Sequence, residues 1–276
     1  MRKCKHGALC LSVVALAVWL TGAGAATPFL TLEGEDAEPG GGAELKAYAP
    51  GADVPGAATF ELEASGGGYA LLEKAGARCS WRNPVEGANA LVVRSSLPDT
   101  ETGGGLEATL DLYIDGVFRQ AVTLSSRQSW VYRTPKGWLD DPKSGGMPFK
   151  FYNEDRVRLG GAPLRKGSVF ALQKGPSSAA PAYRIDCVDI EAVGPAGSAP
   201  EGSLSVIEFG ASPDGVADSQ KAIQRCVDEA RRSGKPVWLP AGKFRIGSEV
   251  PTGLDLTGVV VRGAGSAREA LALVDK

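Results

Sequence analysis

The chain has 276 residues, 43 % hydrophobic and 22 % charged, with a formal net charge of −2 and a single histidine. That balance excludes a basic nucleic-acid surface. Because His6 sits at the extreme N-terminus, serine–histidine or cysteine–histidine nucleophile pairs and histidine-bound metals are excluded from the remainder.

The first 25 residues read as a secretory signal. Arg2, Lys3 and Lys5 form a basic start, Ala8–Leu20 is an apolar run, and Ala23 and Ala25 make an A-x-A cleavage site. The run falls short of the ~20 residues needed to span a bilayer. Cleavage takes three basic residues and no acid, leaving 27 basic against 32 acidic residues, net −5. The expected location is extracellular or periplasmic, with no membrane association after cleavage and no nucleic-acid partner. Cys4 and Cys10 leave with the signal, so Cys79, Cys187 and Cys226 remain, an odd count and no disulfide framework. Cys79 and Cys187 lie in strand-like segments and read as buried thiols, with pairing in an oxidising compartment as the alternative. Cys226 reads as a packing residue on a helix face.

Residues 26–193 carry a succession of strand-length runs broken by Gly, Pro, Asn and Asp. They are "ATFELEA", "GYALLE", "ARCSW", "ALVVRSS", "EATLDLYI", "VFRQAVTL", "DRVRLG", "SVFALQ" and "YRIDCVDIEAV". Leu110, Leu112 and Ile114 alternate with Thr109, Asp111 and Tyr113, the period of a half-buried strand. Asp115-Gly116 between two such runs marks a hairpin, since a type I′ turn needs positive φ at both central residues. Short strands with regular turn signals predict a β-sandwich of the jelly-roll kind.

"LEGEDAE" (Leu32 to Glu38) and "YRIDCVDIE" (Tyr183 to Glu191) resemble the bracketing strands of calcium-dependent β-sandwich carbohydrate-binding modules. "LYIDGVFRQAVTLSSRQSWVY" and "FYNEDRVRLGG" between them resemble the modules attached to bacterial α-1,3-glucanases and related β-helix enzymes. Glu33 and Glu35, two apart on one strand, leave on the same face. With the terminal strand beside the first, Asp186 completes a hard-oxygen set of the kind Ca²⁺ takes. The resemblance implies a structural calcium ion; the alternative is a group of solvated edge carboxylates. Sugar recognition needs flat aromatic faces and planar polar groups. The candidates are Trp81, Trp130, Tyr132 and Trp138 with Asn83 and Asn153. Trp138, amid Pro, Gly and Asp, is the expected loop platform, and part of this set is expected in the core.

A linker follows at Val193 to Ser203, where Gly, Pro, Ala and Ser replace all periodicity. After it comes a short strand, a turn at Asp214-Gly215, and a helix with Asp218 as N-cap. Ala222, Ile223, Cys226, Val227 and Ala230 form its apolar stripe, and Gly234 is its stop. "VWLPAGKFRI" and "VVVRGAG" read as further strands. Phosphate-loop and EF-hand spacings are absent.

"FGASPDGVADSQKAIQRCVDEA" with those two strands resembles the start of the pectin-lyase-like right-handed parallel β-helix. That superfamily includes polygalacturonases, pectate lyases and α-1,3-glucanases. The resemblance implies a helix closing the end of a solenoid. The expectation is a truncated β-helix holding the cap and about one coil at 204–276, with "SAREALALVDK" helix-like and no catalytic residue to assign. The fold class expected is therefore all-β, a sandwich followed by a β-helix with an N-terminal capping α-helix. Two functions follow: the front of a secreted polysaccharide-degrading enzyme, hydrolase rather than lyase, or a secreted, non-catalytic polysaccharide-binding or adhesion protein. The partner expected is a glucan or pectin-like polysaccharide bound by a monomer.

Overall fold

The computed structural model describes residues 29–49, 60–139, 141–194, 197–247, 253–264 and 269–273. The signal segment lies outside them. Among the described residues no helix is long and apolar enough to cross a membrane.

Two antiparallel sheets make the sandwich. The larger places strands Asn153–Arg158, Ala90–Ser96, Tyr183–Glu191, Gly68–Leu72 and Glu44–Ala47 side by side. Phe29–Glu33 pairs with the second half of Tyr183–Glu191, from Phe29 opposite Glu191 to Glu33 opposite Cys187. The other sheet has the order Glu38–Gly40, Arg78–Arg82, Val169–Gln173, Glu107–Ile114, Val117–Ser125. Alternation aims Leu72, Leu91, Val93, Ile185 and Val188 from the first sheet at Cys79, Leu110, Leu112, Phe170 and Leu172 from the second. Each such fully buried Leu or Phe contributes about 1.5–3 kcal/mol. Cys79, Cys187 and Cys226 are buried free thiols.

The Asp115-Gly116 turn forms as the sequence predicts, with φ of 49° and 78°. Two features differ from expectation. Phe60–Glu63, predicted as strand, is a short α-helix. Its Phe60 ring packs edge-on against Tyr69 and Tyr152 and lies 3.9 Å under the Arg184 guanidinium, so tertiary contacts override the β propensity of the run. Trp130–Thr134, Gly137–Leu139 and Met147–Lys150 form a separate three-stranded antiparallel sheet.

Beyond the linker the pairing turns parallel. Leu204–Ser205, Val237–Leu239 and Val261–Gly263 stack as one sheet, and Asp214–Asp218, Gly242–Ile246 and Glu269–Leu273 as another. Two stacked parallel sheets met in alternation along the chain are the β-helix layout. Among the described residues each sheet has three levels, so the winding goes beyond the single coil expected. The predicted helical tail is also corrected: Glu269–Leu273 is a strand. The exposed backbone edge of Gly242–Ile246 offers it a ladder, and that outweighs the helix propensity of its Ala and Leu.

The helix Gln220–Ser233 buries Ala222, Ile223, Cys226, Val227 and Ala230 in the cluster built by Val206, Val237, Leu239, Phe244 and Ile246. The N-cap is Ser219 and not the predicted Asp218, which ends the preceding strand; Asp218 Oδ1 still accepts from the Gln220 N–H at 2.7 Å, and Gly234 at φ 68° ends the helix. Asp214 Oδ1 accepts from the Val216 and Ala217 amides, closing a turn on itself. The polar side of the helix holds a neighbouring loop by its main chain. Gln220 Nε2 donates to Gly253 O and its Oε1 accepts from Gly247 N. Gln224 Oε1 accepts from Asp255 N, and Arg231 donates to Asp255 O and Thr257 O.

Candidate functional site

The carboxylates singled out in the sequence meet at one corner of the sandwich. The first strand ends at Glu33, so Glu35 is not on it; Gly34 bends the chain away, its N–H donating to Asp186 O at 2.6 Å. A Cβ at position 34 would collide with the Ile185 carbonyl, which explains the glycine. The ladder slips between Ile185 and Cys187, and this bulge re-aims fully buried Asp186. Asp186 Oδ1 accepts from Ser65 N at 2.7 Å, while Oδ2 pairs with Arg94. Glu33 Oε1 accepts from the Ser65 hydroxyl at 3.1 Å. The Glu35 carboxyl lies against Gly66 and Gly68, where side chains would displace it.

Glu33 and Glu35 each keep one buried carboxylate oxygen with no hydrogen-bond partner among the described residues, as does Glu63. Burial holds the Glu35 carboxyl above its usual range, and the charges of Glu33 and Asp36 add to the rise. Burial likewise raises Glu63, against the pull of Lys150 and Arg94. Arg94 is the hub, pairing with Asp186, donating to Glu63 O at 3.3 Å, and stacking 4.9 Å over the Tyr152 ring. Among the described residues no three His, Cys, Asp or Glu side chains are arranged to hold a metal ion by themselves. The orphan oxygens of Glu33 and Glu35 suit a hard cation. Asp186 Oδ2 likewise lacks a hydrogen-bond partner among the described residues but is ion-paired with Arg94, while its Oδ1 takes the Ser65 amide.

The predicted sugar-binding aromatics do not converge. Trp81 is buried, its ring stacked 5.3 Å from Phe170 and its Nε1 donating to Glu33 O at 2.8 Å. Tyr132 is buried, donating to Asp99 Oδ2 and accepting from Gly104 N. These two hold the fold, and neither offers a free face. Trp130 is half-buried and ties to Leu97 O at 3.3 Å, so it reaches the same 97–99 segment as Tyr132. Trp138 has its backbone in a strand and not in a loop; its side chain lies outside the described residues. Asn153 donates to Ser125 O, and Asn83 is fully buried, bonding Val85 and Arg165 main chain.

What the sequence reading passed over is an aromatic pair on the outer face of the five-stranded sheet. Tyr113 and Phe118 meet edge-to-face at 5.8 Å across the hairpin. Tyr113 sat in the polar phase of a strand alternation already noticed, and that phase was the available signal.

Comparison with known proteins bears on the whole chain. Residues 26–193 match the family described as "Alpha-1,3-glucanase catalytic domain D1", and residues 203–272 match "Rhamnogalacturonase A/epimerase, pectate lyase-like". The crystal structure of the Agl-KA catalytic domain is similar at 32% identity and TM-score 0.72, covering 90% of this chain and 42% of that one. The catalytic unit of the thermostable GH87 α-1,3-glucanase from Streptomyces thermodiastaticus strain HF3-3 is similar at 30% identity and TM-score 0.67, covering 89% and 40%. Mannuronan C5-epimerase AlgE5 of Azotobacter vinelandii is 42% identical over 76 residues, 26% of this chain and 8% of the epimerase. The chain thus spans about two-fifths of the length of these two solved structures. With a family match over more than half its residues, the chain belongs to the α-1,3-glucanase catalytic domain D1 family.

Proposed function

We propose that this chain is the front part of a secreted, polysaccharide-degrading glycoside hydrolase of the α-1,3-glucanase type. Its sandwich binds the polysaccharide, and its β-helix begins the catalytic solenoid. The observation that supports this most directly is the joint match: residues 26–193 match the D1 family and residues 203–272 a pectate-lyase-like family, and 89% of the chain is covered by the match to a GH87 α-1,3-glucanase catalytic unit. Hydrolysis in such an enzyme would rest on paired carboxylates beyond the described levels of the solenoid. A lyase- or epimerase-type enzyme acting on polyuronates is the second reading, favoured by the 42% identity over 76 residues to a mannuronan C5-epimerase and by the pectate-lyase-like family match at 203–272.

The sandwich would also carry a structural Ca²⁺, held by Glu33 and Glu35, whose buried orphan oxygens need a cation. Asp186 would join only once Arg94 let it go. The ion would tie the first strand to the 65–68 turn, with no part in chemistry.

The experiment is retention of the full chain on insoluble α-1,3-glucan, compared with polygalacturonate gel. Retention on the glucan is the expected result. Passage through both would refute the proposed binding role.

A further inference from the structure

We propose that the outer face of the five-stranded sheet is a trough for an internal stretch of a neutral, hydroxyl-rich glycan. This rests on the polysaccharide-binding reading above and gives it an address. Strand register sets Glu38, Ser80, Ala171, Tyr113 and Phe118 side by side across all five strands. Ser80 and Ala171 are small, and the side chains flanking them are tall. The floor therefore sinks into a hollow of 400 Å³, and a second of 340 Å³ continues it toward Thr31 and Glu33 of the first strand; the two share Glu38, Ser80 and Val169. Ligand sites of roughly this size are ordinary for small sugars.

The walls have the chemistry a sugar needs. On one side stand Tyr113 and, packed edge-to-face on it, Phe118, which is 54% exposed. Such rings take the C–H faces of pyranoses. On the other side Arg78 lies across Gly40, where a Cβ would stand 2.8 Å from its Nε; the glycine clears the guanidinium's path. Arg78, Gln173 and Glu38 bring donors and acceptors to the same hollow, set for hydroxyl pairs.

Charge and extent choose the occupant. The two hollows are lined by Glu33, Asp36 and Glu38 against Arg78 and Arg82, so no positive field invites a polyuronate. The row runs from one edge strand of the sheet to the other. At about 4.8 Å between strands it is roughly 19 Å long. A chain entering at one edge leaves at the other, which fits an internal segment of several sugars.

The test is calorimetric titration of the full chain with a soluble α-1,3-linked glucose tetrasaccharide and, separately, with polygalacturonate. Tyr113→Ala is expected to weaken tetrasaccharide binding about tenfold. Ala171→Gln, which raises the floor, is expected to do at least as much. Ala171→Gln and Arg78→Ala keep the test alive if Tyr113→Ala fails to fold. Binding of the wild type with no loss in any folded variant overturns the trough and leaves the polysaccharide-binding reading standing. Absence of wild-type binding to both sugars overturns both. Tighter binding of polygalacturonate, lost in the same variants, overturns the neutral occupant.

Discussion

Arg94→Met tests the corner where the first strand, the 65–68 turn and the long Tyr183–Glu191 strand meet. Asp186 is fully buried, and besides the Ser65 amide its carboxylate has Arg94 as its countercharge. Methionine keeps much of the apolar stem but removes the guanidinium, and with it the charge and the contact over Tyr152. Leaving one member of a buried ion pair uncompensated costs about 3–5 kcal/mol, far more than the pair itself contributes. For a domain of this size that is a fall in melting temperature of about 6–20 °C, followed by circular dichroism. The deficit should shrink on acidification, because a protonated Asp186 no longer carries a stranded charge. Asp186→Asn on the Arg94→Met background should recover a large part of the loss for the same reason. A fall under about 3 °C would mean that Asp186 is solvated and the reasoning wrong. A large but pH-independent deficit would assign the loss to packing on Tyr152.

Two further outcomes follow from the same architecture. Glu35 and Glu63 are raised above their usual 4.5 by burial, so the fold favours their protonated forms. Their contribution is full below 4.5 and is lost as pH rises through the raised values. In chelator the melting temperature should therefore fall as pH climbs from about 4 to 7, and Ca²⁺ should restore it at the upper end; identical curves with and without calcium would remove the ion. Gln220→Leu should destabilise the solenoid start by about 1–3 kcal/mol, because the Gly247 amide and Gly253 carbonyl lose their partners. Hydrogen exchange at the Gly247 amide reads it directly, and unchanged protection there would count against the clamp.

Much of this molecule was legible before its coordinates. Strands such as Ala90–Ser96 and Glu107–Ile114 announce themselves because alternation and turn chemistry are local. The capping helix was equally plain, its stripe and its Gly234 stop both written within one short run. Phe60–Glu63 departs from its strand pattern because Phe60 is held by Tyr69 and by two residues far along the chain, Tyr152 and Arg184. Glu269–Leu273 was misread for a similar reason, its partner strand lying well upstream. Aromatics were the hardest. Nothing near Trp81 in sequence says that Phe170 will stack on it, and nothing near Tyr113 but its phase says that it faces outward. Which side of a sheet is wet is a property of the pair of sheets, not of a strand.

The hold of the capping helix on the 253–257 loop has a consequence for how this architecture can vary. Gln220, Gln224 and Arg231 grasp peptide groups of Gly253, Asp255 and Thr257, at every second residue. Apart from the Arg231–Asp255 ion pair at 3.4 Å, these bonds fall on main chain and so do not read the loop's side chains. They are sensitive instead to where each peptide falls, so one inserted residue would shift the rhythm and release the contacts together. The helix acts as a ruler laid along the loop. It gauges chain length ahead of the next strand, Val261–Gly263, and so sets the phase in which that level of the solenoid is laid down.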